Sequence, residues 1–375
     1  MDIKKKVLFL LHSLGGGGAE RVLVNLVNNM NLKKYDIHIQ TIFKAGVNKE
    51  FLNKNIKLIE SGWKSFKGIS LLFKLIPSKI LFKLLIKDTG YDLMVAYLHG
   101  APTKIIAGCP NKNVKKIAWL HTDMRRSSIR RFFFSKEEVI KTFNLYDRIV
   151  GVSNTVSNSF IDIYGLKDKV VVKYNTNNTR EINRLSKESI EEGLFSKNIL
   201  NIISIGSLTR VKGYSRLLSI CKKLFDEGFE FKLYILGKGS EEKKLQDFIN
   251  ENNLSEKITL LGFKVNPYPY LKKADLFVCS SFSEGLSTVI SEAIILGVPV
   301  ISTRVSGAEE VLGSNNEYGM IVENSQEALY QGLKELIKSP KKVEGYKKKA
   351  SERATFFDTD KSVKEVEDMF DEVLR

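Results

Sequence analysis

Apolar residues in this chain fall into short dense runs, separated by longer stretches in which they recur every three or four positions. The runs Val7–Leu11, Ile37–Phe43, Leu93–Tyr97, Lys116–Leu120 and Ile149–Val152 predict strands of a parallel sheet, because continuous rather than alternating apolar character suits strands covered on both faces. A second set, Ile199–Ile205, Lys232–Leu236, Ile258–Leu260, Leu276–Cys279 and Val298–Ile301, predicts a second sheet. Periodic segments such as Tyr214–Phe225 and Glu241–Glu251 read as crossover helices, so each half is expected to be a doubly wound α/β domain. The polar stretch Asn175–Lys197 reads as the connection between them. The expected division is 1–174, a linker at 175–198, a second domain at 199–357, and at 358–375 an amphipathic helix that caps one domain or the other.

At 375 residues, with 43% apolar residues and 7 prolines, the chain is long enough for two such domains, each with its own core. Cys109, Cys221 and Cys279 are widely spaced, form no metal or disulfide pattern and suit a reducing cytoplasm. The run Val7–Leu11 is too short for a signal peptide, and no uncharged apolar stretch is long enough to span a membrane. Charge changes the picture more. Residues 1–173 hold 30 Lys and Arg against 13 Asp and Glu, a net of +17, whereas the remainder nets −1. A first half this basic favours an anionic partner: nucleic acid, a phosphorylated substrate or an acidic membrane surface.

Four motifs carry candidate chemistry. Gly15, Gly16, Gly17 and Gly18 lie between the first strand and a helix, where glycine lets backbone approach a phosphate and the helix start offers free N–H groups. The loop is neither a Walker A sequence nor a dinucleotide fingerprint, and four glycines also make a plain flexible turn. Ser280–Ala293 follows a strand and opens a helix, at the carboxyl edge where α/β sheets bind ligands. Gly285 with the amides of Leu286, Ser287 and Thr288 would face an anion there, and Glu292 could accept two hydrogen bonds from a ribose diol. Two glutamates on an amphipathic helix are the plainer alternative. Gly206–Gly213 follows another strand and brings Arg210 and Lys212 to a turn, where two cations suit a diphosphate and a solvated turn is the alternative. His121 ends a strand of the first sheet; His12, His38 and His99 are taken as structural, His12 least firmly because it also ends a strand.

Together these residues resemble the family-four retaining glycosyltransferases of the GT-B fold. The resemblance is carried by Gly262-Phe263 through Glu310, with Glu284 and Glu292 seven residues apart beside Gly297-Val298-Pro299-Val300. The Gly17-Gly18-Ala19-Glu20-Arg21 loop, His121, the Asp147–Ser153 strand and Tyr174-Asn175 extend it over nearly the whole chain. It is weakest at residues 51–87 and 124–136. The resemblance implies two facing Rossmann-like domains with the reaction in the cleft between them. It also implies that Glu292 holds the donor ribose, that Glu284 contacts the transferred sugar, and that Gly285, Leu286 and Ser287 give amides to the donor. The backbone at Phe263, Lys264 and Val265 would meet the base, Gly17 and Gly18 would approach the diphosphate, and His121 would sit beside the donor sugar. Where the family commonly has an arginine after the first glycine of the cationic cluster, Gly206 is followed here by Ser207, so Arg210 and Lys212 are left to stabilise the leaving diphosphate. The family's chemistry retains anomeric configuration, and domain closure assembles its site. No metal-binding carboxylate pair is evident, and no cofactor is expected beyond the nucleotide-sugar co-substrate.

For the acceptor, two segments suggest a membrane. Lys64–Lys87 has six lysines, no acidic residue and thirteen large apolar residues; it could lie on an anionic bilayer or simply cover a sheet. Arg125, Arg126, Arg130 and Arg131 precede Phe132, Phe133 and Phe134 and suit a lipid-phosphate acceptor, with a disordered basic loop as the alternative. The expected function is transfer of a sugar, with uridine the default base, to a lipid-linked or glycan acceptor in bacterial surface polysaccharide synthesis, on the inner face of the cell membrane. A nucleotide-sugar epimerase or a soluble-acceptor transferase on the same fold is the nearer alternative. A nucleic-acid-binding protein is the other, but no aromatic–basic platform or helix-turn-helix supports it.

Overall fold

A computed structural model of the chain describes residues 4–44, 46–66, 68–126, 129–196 and 198–375. The chain start, Lys67 of the basic segment, Ser127 and Ser128 of the arginine-rich loop, and Lys197 of the expected linker lie outside the described residues. The chain divides into two compact units: residues 1–177 with Thr359–Arg375, and residues 178–358.

In the first unit the elements run β1 (Lys5–Leu11), α1 (Gly18–Asn29), β2 (Tyr35–Phe43), β3 (Lys57–Trp63), α2 (Ile69–Leu75), α3 (Ser78–Leu85), β4 (Leu93–Ala96), α4 (Ala101–Ala107), β5 (Lys115–Leu120), α5 (Lys136–Phe143), β6 (Arg148–Gly151), α6 (Asn154–Tyr164) and β7 (Val170–Val172). The strands form one parallel sheet in the order β3-β2-β1-β4-β5-β6-β7. Val7, Leu8, Phe9, Leu10 and Leu11 are fully buried, as expected of a strand covered on both faces. Five of the seven strands coincide with the apolar runs. The two that do not are the edge strands, β3 half polar and β7 only three residues long. The basic segment is two helices rather than one, because Pro77 cannot continue a helix and biases the residue before it to extended backbone; Ile76 has φ −81° and ψ 130°. Lys87 therefore lies past the end of α3, and its Nζ donates to the Glu60 carbonyl.

The second unit contains α7 (Thr179–Leu185), β8 (Leu200–Ile205), α8 (Tyr214–Asp226), β9 (Phe231–Leu236), α9 (Glu242–Glu251), β10 (Ile258–Gly262), α10 (Tyr268–Lys273), β11 (Leu276–Cys279), α11 (Thr288–Ile295), β12 (Val300–Thr303), α12 (Ala308–Leu312), β13 (Met320–Val322), α13 (Gln326–Lys338) and α14 (Pro340–Arg353). Its parallel sheet has the order β10-β9-β8-β11-β12-β13. β12 starts two residues later than the apolar pattern suggests, because Pro299 has no N–H to give to a ladder; its carbonyl instead accepts from the Phe277 amide at 2.8 Å. The stretch read as a linker carries α7, capped by the Asn178 side chain on the Glu181 amide, and α7 packs on α10 and α11.

The final helix, α15 (Thr359–Leu374), belongs to the first unit. It buries Val363, Val366, Met369, Phe370 and Val373, each such side chain contributing roughly 1.5–3 kcal/mol. Phe370 lies 6.1 Å from the rings of both Phe9 and Tyr35. The Tyr35 hydroxyl donates to Asp371 at 2.7 Å, and the Thr359 hydroxyl to the Asn177 carbonyl at 2.8 Å.

Candidate active site

A doubly wound sheet opens where the strand order reverses, and loops at the carboxyl ends of the two strands flanking that point diverge to leave room for a ligand. In the second sheet those strands are β8 and β11, and their loops carry the cationic cluster and the two-glutamate segment. The structure brings them together. Lys212 Nζ donates to Glu284 Oε1 at 2.7 Å, the Ser281 hydroxyl donates to the same oxygen at 2.6 Å, and the Ser280 hydroxyl donates to the Lys212 carbonyl at 2.8 Å. Burial opposes charge on the Lys212 ammonium, but the attraction and hydrogen bond of Glu284 more than offset it and hold its pKa above the ordinary lysine value.

Glycine makes this contact possible at Gly213, whose φ is +69° and where a Cβ would sit 2.1 Å from the Ser280 carbonyl oxygen. Gly206 lies under the Lys212 stem, since a Cβ there would be 3.3 Å from Lys212 Cε. Arg210 is exposed at the start of the short 3-10 turn that ends at Lys212. Ser207, at the position where the resemblance expects arginine, is exposed.

The other residues expected to bind the donor lie in the same unit, after β10 and on the turn into α11 and in its first two turns. Gly285, Leu286 and Ser287 lead into α11, whose N-cap residue, Ser287, makes no side-chain cap hydrogen bond. Glu292 is buried in the second turn, where the Tyr268 hydroxyl donates to its Oε1 at 3.3 Å. Phe263, Lys264 and Val265 follow β10, with Phe263 and Val265 exposed and Lys264 5.5 Å from the Tyr270 ring. Tyr268 opens α10 three residues after Val265, and so connects this loop to Glu292.

Sequence reading missed the residues that hold the site in place. Arg216 of α8 is buried and donates to the Ser280 carbonyl at 2.9 and 2.5 Å and to the Ser281 carbonyl at 2.8 Å, with its guanidinium 3.9 Å from the Phe282 ring. Thr303 also donates to the Ser281 carbonyl, at 2.7 Å. A signal was available: Arg216 is a charged residue on the apolar face set by Leu217, Leu218 and Cys221. Ser281 and Tyr268 carried no such mark.

In the first unit the corresponding edge lies at β1 and β4. The glycine loop leaves β1, with Gly16, Gly17 and Gly18 exposed. The Glu20 side chain folds back so that a Cβ on Gly17 would lie 2.2 Å from its Oε2. The acid nearest this helix start is thus the chain's own, and burial raises its pKa. His12, His99 and His121 end or follow the neighbouring strands β1, β4 and β5. Burial pulls their pKa values to about 4, about 4 and about 3, so all three are neutral at physiological pH. The His121 ring lies 4.7 Å from that of Tyr97, and its Nε2 is buried without a hydrogen-bond partner. Of the four arginines, Arg125 is engaged: its guanidinium forks onto Asp123 with contacts of 2.9, 3.2 and 2.9 Å. Arg126, Arg130 and Arg131 are exposed, whereas Phe133 is buried, Phe132 is half-buried and Phe134 is exposed.

Comparison with known proteins bears on the family and the fold. A family model described as "Glycosyl transferases group 1" matches residues 186–353, and one described as "Glycosyltransferase Family 4" matches residues 16–181. The N-acetylgalactosamine-N,N'-diacetylbacillosaminyl-diphospho-undecaprenol 4-alpha-N-acetylgalactosaminyltransferase of Campylobacter jejuni is 28% identical over 94% of this chain and 96% of its own length. The crystal structure of Anabaena HepE in complex with UDP superposes with a TM-score of 0.78 at 18% identity, over 98% of this chain and 100% of that one. That of Staphylococcus aureus TarM, a variant in complex with Fondaparinux, alpha-GlcNAc-glycerol and UDP, does so with a TM-score of 0.74 at 14% identity, over 98% and 99%. With two glycosyltransferase models running from residue 16 to residue 353 and two Rossmann-like parallel sheets shared with these structures, the chain belongs to the group 1 glycosyltransferases, its first half of the family four type.

Proposed function

We propose that this enzyme transfers a hexosyl or N-acetylhexosaminyl group from a UDP-sugar, with retention and without a divalent metal, to a lipid-linked intermediate of bacterial surface polysaccharide. The observation that carries the reading is the convergence of Lys212 and Glu284 at the switch point of the second sheet. A cation there can meet the charge that develops on a departing diphosphate, with Arg210 as the second cation. Gly206, Gly285, Leu286 and Ser287 give the donor close backbone approach, Glu292 takes the ribose diol, and the backbone from Phe263 to Val265 meets the base. Glu284 faces the transferred sugar; Gly17, Gly18 and neutral His121 are the first unit's candidates for donor contact.

In the transfer the acceptor hydroxyl oxygen bonds to the anomeric carbon as the bond from that carbon to the diphosphate oxygen breaks. The hydroxyl proton passes to the departing phosphate oxygen on the same face. The UDP named in the HepE and TarM complexes supports the base, and the diphospho-undecaprenol of the Campylobacter relative's name supports the acceptor class. Such an acceptor places the enzyme at the cytoplasmic face of the membrane, held peripherally by anionic lipid. No described helix is long and apolar enough to cross a bilayer.

Titration calorimetry with UDP, GDP and ADP, first in chelator and then in magnesium, tests this. UDP is expected to bind in chelator, ahead of the other two. Binding that needs magnesium overturns the metal-free reading, and a preference for GDP overturns the base.

A further inference from the structure

We propose that α2, α3 and the Ile129–Phe134 segment form one docking face for an anionic lipid bilayer, assembled on α4 by the buried side chain of Lys104. The proposal deepens the membrane reading above by naming the surface. On α3, Lys79 and Lys83 form one exposed column and Ile80 and Leu84 the next; on α2, Leu71 and Leu75 point outward at the same four-residue spacing. With Phe134, these five apolar side chains are each between 50% and 60% exposed, a cost that a soluble surface has no reason to bear in one place. The inward sides, Phe73 of α2 and Leu81, Phe82 and Leu85 of α3, are buried.

All three pieces rest on α4. Lys104 Nζ donates to the Lys74 carbonyl of α2 at 2.7 Å and to the Phe132 carbonyl at 3.3 Å. The end of α4 touches the start of α3, where a Cβ on Gly108 would lie 2.0 Å from the Ser78 carbonyl oxygen. Lys74 Nζ in turn lies 5.0 Å from the Phe134 ring. The faces turned away from α4 therefore share one outer surface, to which α2 and α3 of the first basic segment and residues 129–134 of the second contribute.

The chemistry selects the occupant. No acidic residue occurs from Lys64 to Lys87, and Glu138 is turned inward, accepting from the Phe134 amide at 2.6 Å and lying 3.5 Å from Lys104 Nζ. Glu137, near Arg130, is the exposed acid beside the face. Aliphatic columns interleaved with lysines and with Arg130 and Arg131 suit a bilayer, where leucine and isoleucine enter the acyl boundary while lysine stems lie along it and keep their charges among the headgroups. A protein partner's interface core would exclude lysine.

The test is co-sedimentation of the full chain with vesicles of phosphatidylcholine alone or mixed with phosphatidylglycerol, with UDP binding and melting temperature followed in parallel. The full chain is expected on the mixed vesicles and not on phosphatidylcholine, with release at high salt. Leu75→Asp, Leu84→Asp and Phe134→Asp are each expected to weaken that binding, and Lys79→Gln with Lys83→Gln by roughly tenfold or more, all with UDP binding and melting intact. Equal binding to phosphatidylcholine, no vesicle binding at all, or sensitivity confined to one of the three elements overturns the proposal. So does a dimer in sedimentation that Leu84→Asp dissolves, which would assign the face to a second copy. Because UDP binding is read separately, each of these results leaves the donor site standing.

Discussion

Replacing Lys212 with methionine keeps the length of the side chain and removes its charge, so it isolates what the ammonium contributes. Two consequences follow from the structure, with different readouts. The ammonium and the Glu284 carboxylate are 24% and 13% exposed, so the pair lies between an open surface pair, worth at most about 1 kcal/mol, and a buried one, whose disruption costs about 3–5 kcal/mol. Glu284 keeps the Ser281 hydroxyl as a donor at 2.6 Å, which places the loss near the middle, at about 2 kcal/mol. For a unit of this size that lowers the melting temperature by roughly 4–8 °C. In the complex the same ammonium is expected to turn to the diphosphate, and losing one charge-assisted hydrogen bond of about 1.5–3 kcal/mol weakens UDP binding by roughly 10- to 150-fold. Glu284→Gln should behave differently. It removes the competitor for Lys212, so UDP binding holds or tightens while sugar transfer falls. Calorimetry on the two variants side by side is decisive: if Lys212→Met binds UDP as tightly as the parent, or both variants lose binding equally, the ammonium is not the diphosphate ligand.

Arg216→Met should lower the melting temperature of the second unit and weaken UDP binding, because the Ser280 carbonyl loses both of its contacts with the guanidinium while Thr303 still serves that of Ser281; unchanged melting would show that the loop holds itself. Gly213→Ala puts a methyl 2.1 Å from a carbonyl oxygen at φ +69°, and should cost more than 1 kcal/mol, well beyond the usual gain from removing a glycine, as read by denaturant unfolding. His12, His99 and His121 have folded pKa values of about 4, about 4 and about 3, below the roughly 6.5 of an unfolded histidine. Above that value neither state is protonated. As pH falls below it the unfolded chain alone takes up protons, so the first unit should lose stability between about pH 6.5 and 4. Asparagine at all three positions should flatten that slope, and an unchanged slope would assign it to other groups.

The central strands were legible because they are buried on both faces, so their apolar runs are unbroken. Of the edge strands, β10 was legible as Ile258–Leu260, whereas β3, β7 and β13 were not, since an edge needs only part of that burial and can mix polar residues or shorten. The division of the basic segment into α2 and α3 was written in Pro77 and could have been read there. Lys212 and Glu284 stood in recognisable motifs, but their contact is a tertiary fact about which strands flank the switch point, and strand order is not written in any local pattern. The same limit hid Ser281 and Tyr268, ordinary residues given their roles by what lies opposite. The four arginines illustrate the converse. Sequence gave each the same weight, and only the fold shows that Arg125 is committed to Asp123.

The return of α15 to the first unit has a consequence for synthesis. The ribosome delivers chains from the amino end at about 5–20 residues per second, yet the side of the first sheet formed by Phe9 and Tyr35 is completed by Phe370. The first domain to emerge is therefore not the first able to close. The second unit, contiguous from Asn178 to Asp358, can fold as it leaves the tunnel, while its predecessor waits with an apolar seam open until the last helix arrives. Termination before α15 would leave the second unit whole and the first unsealed, so nascent-chain quality control should be sensitive to α15 although it lies outside the residues matched by both family models.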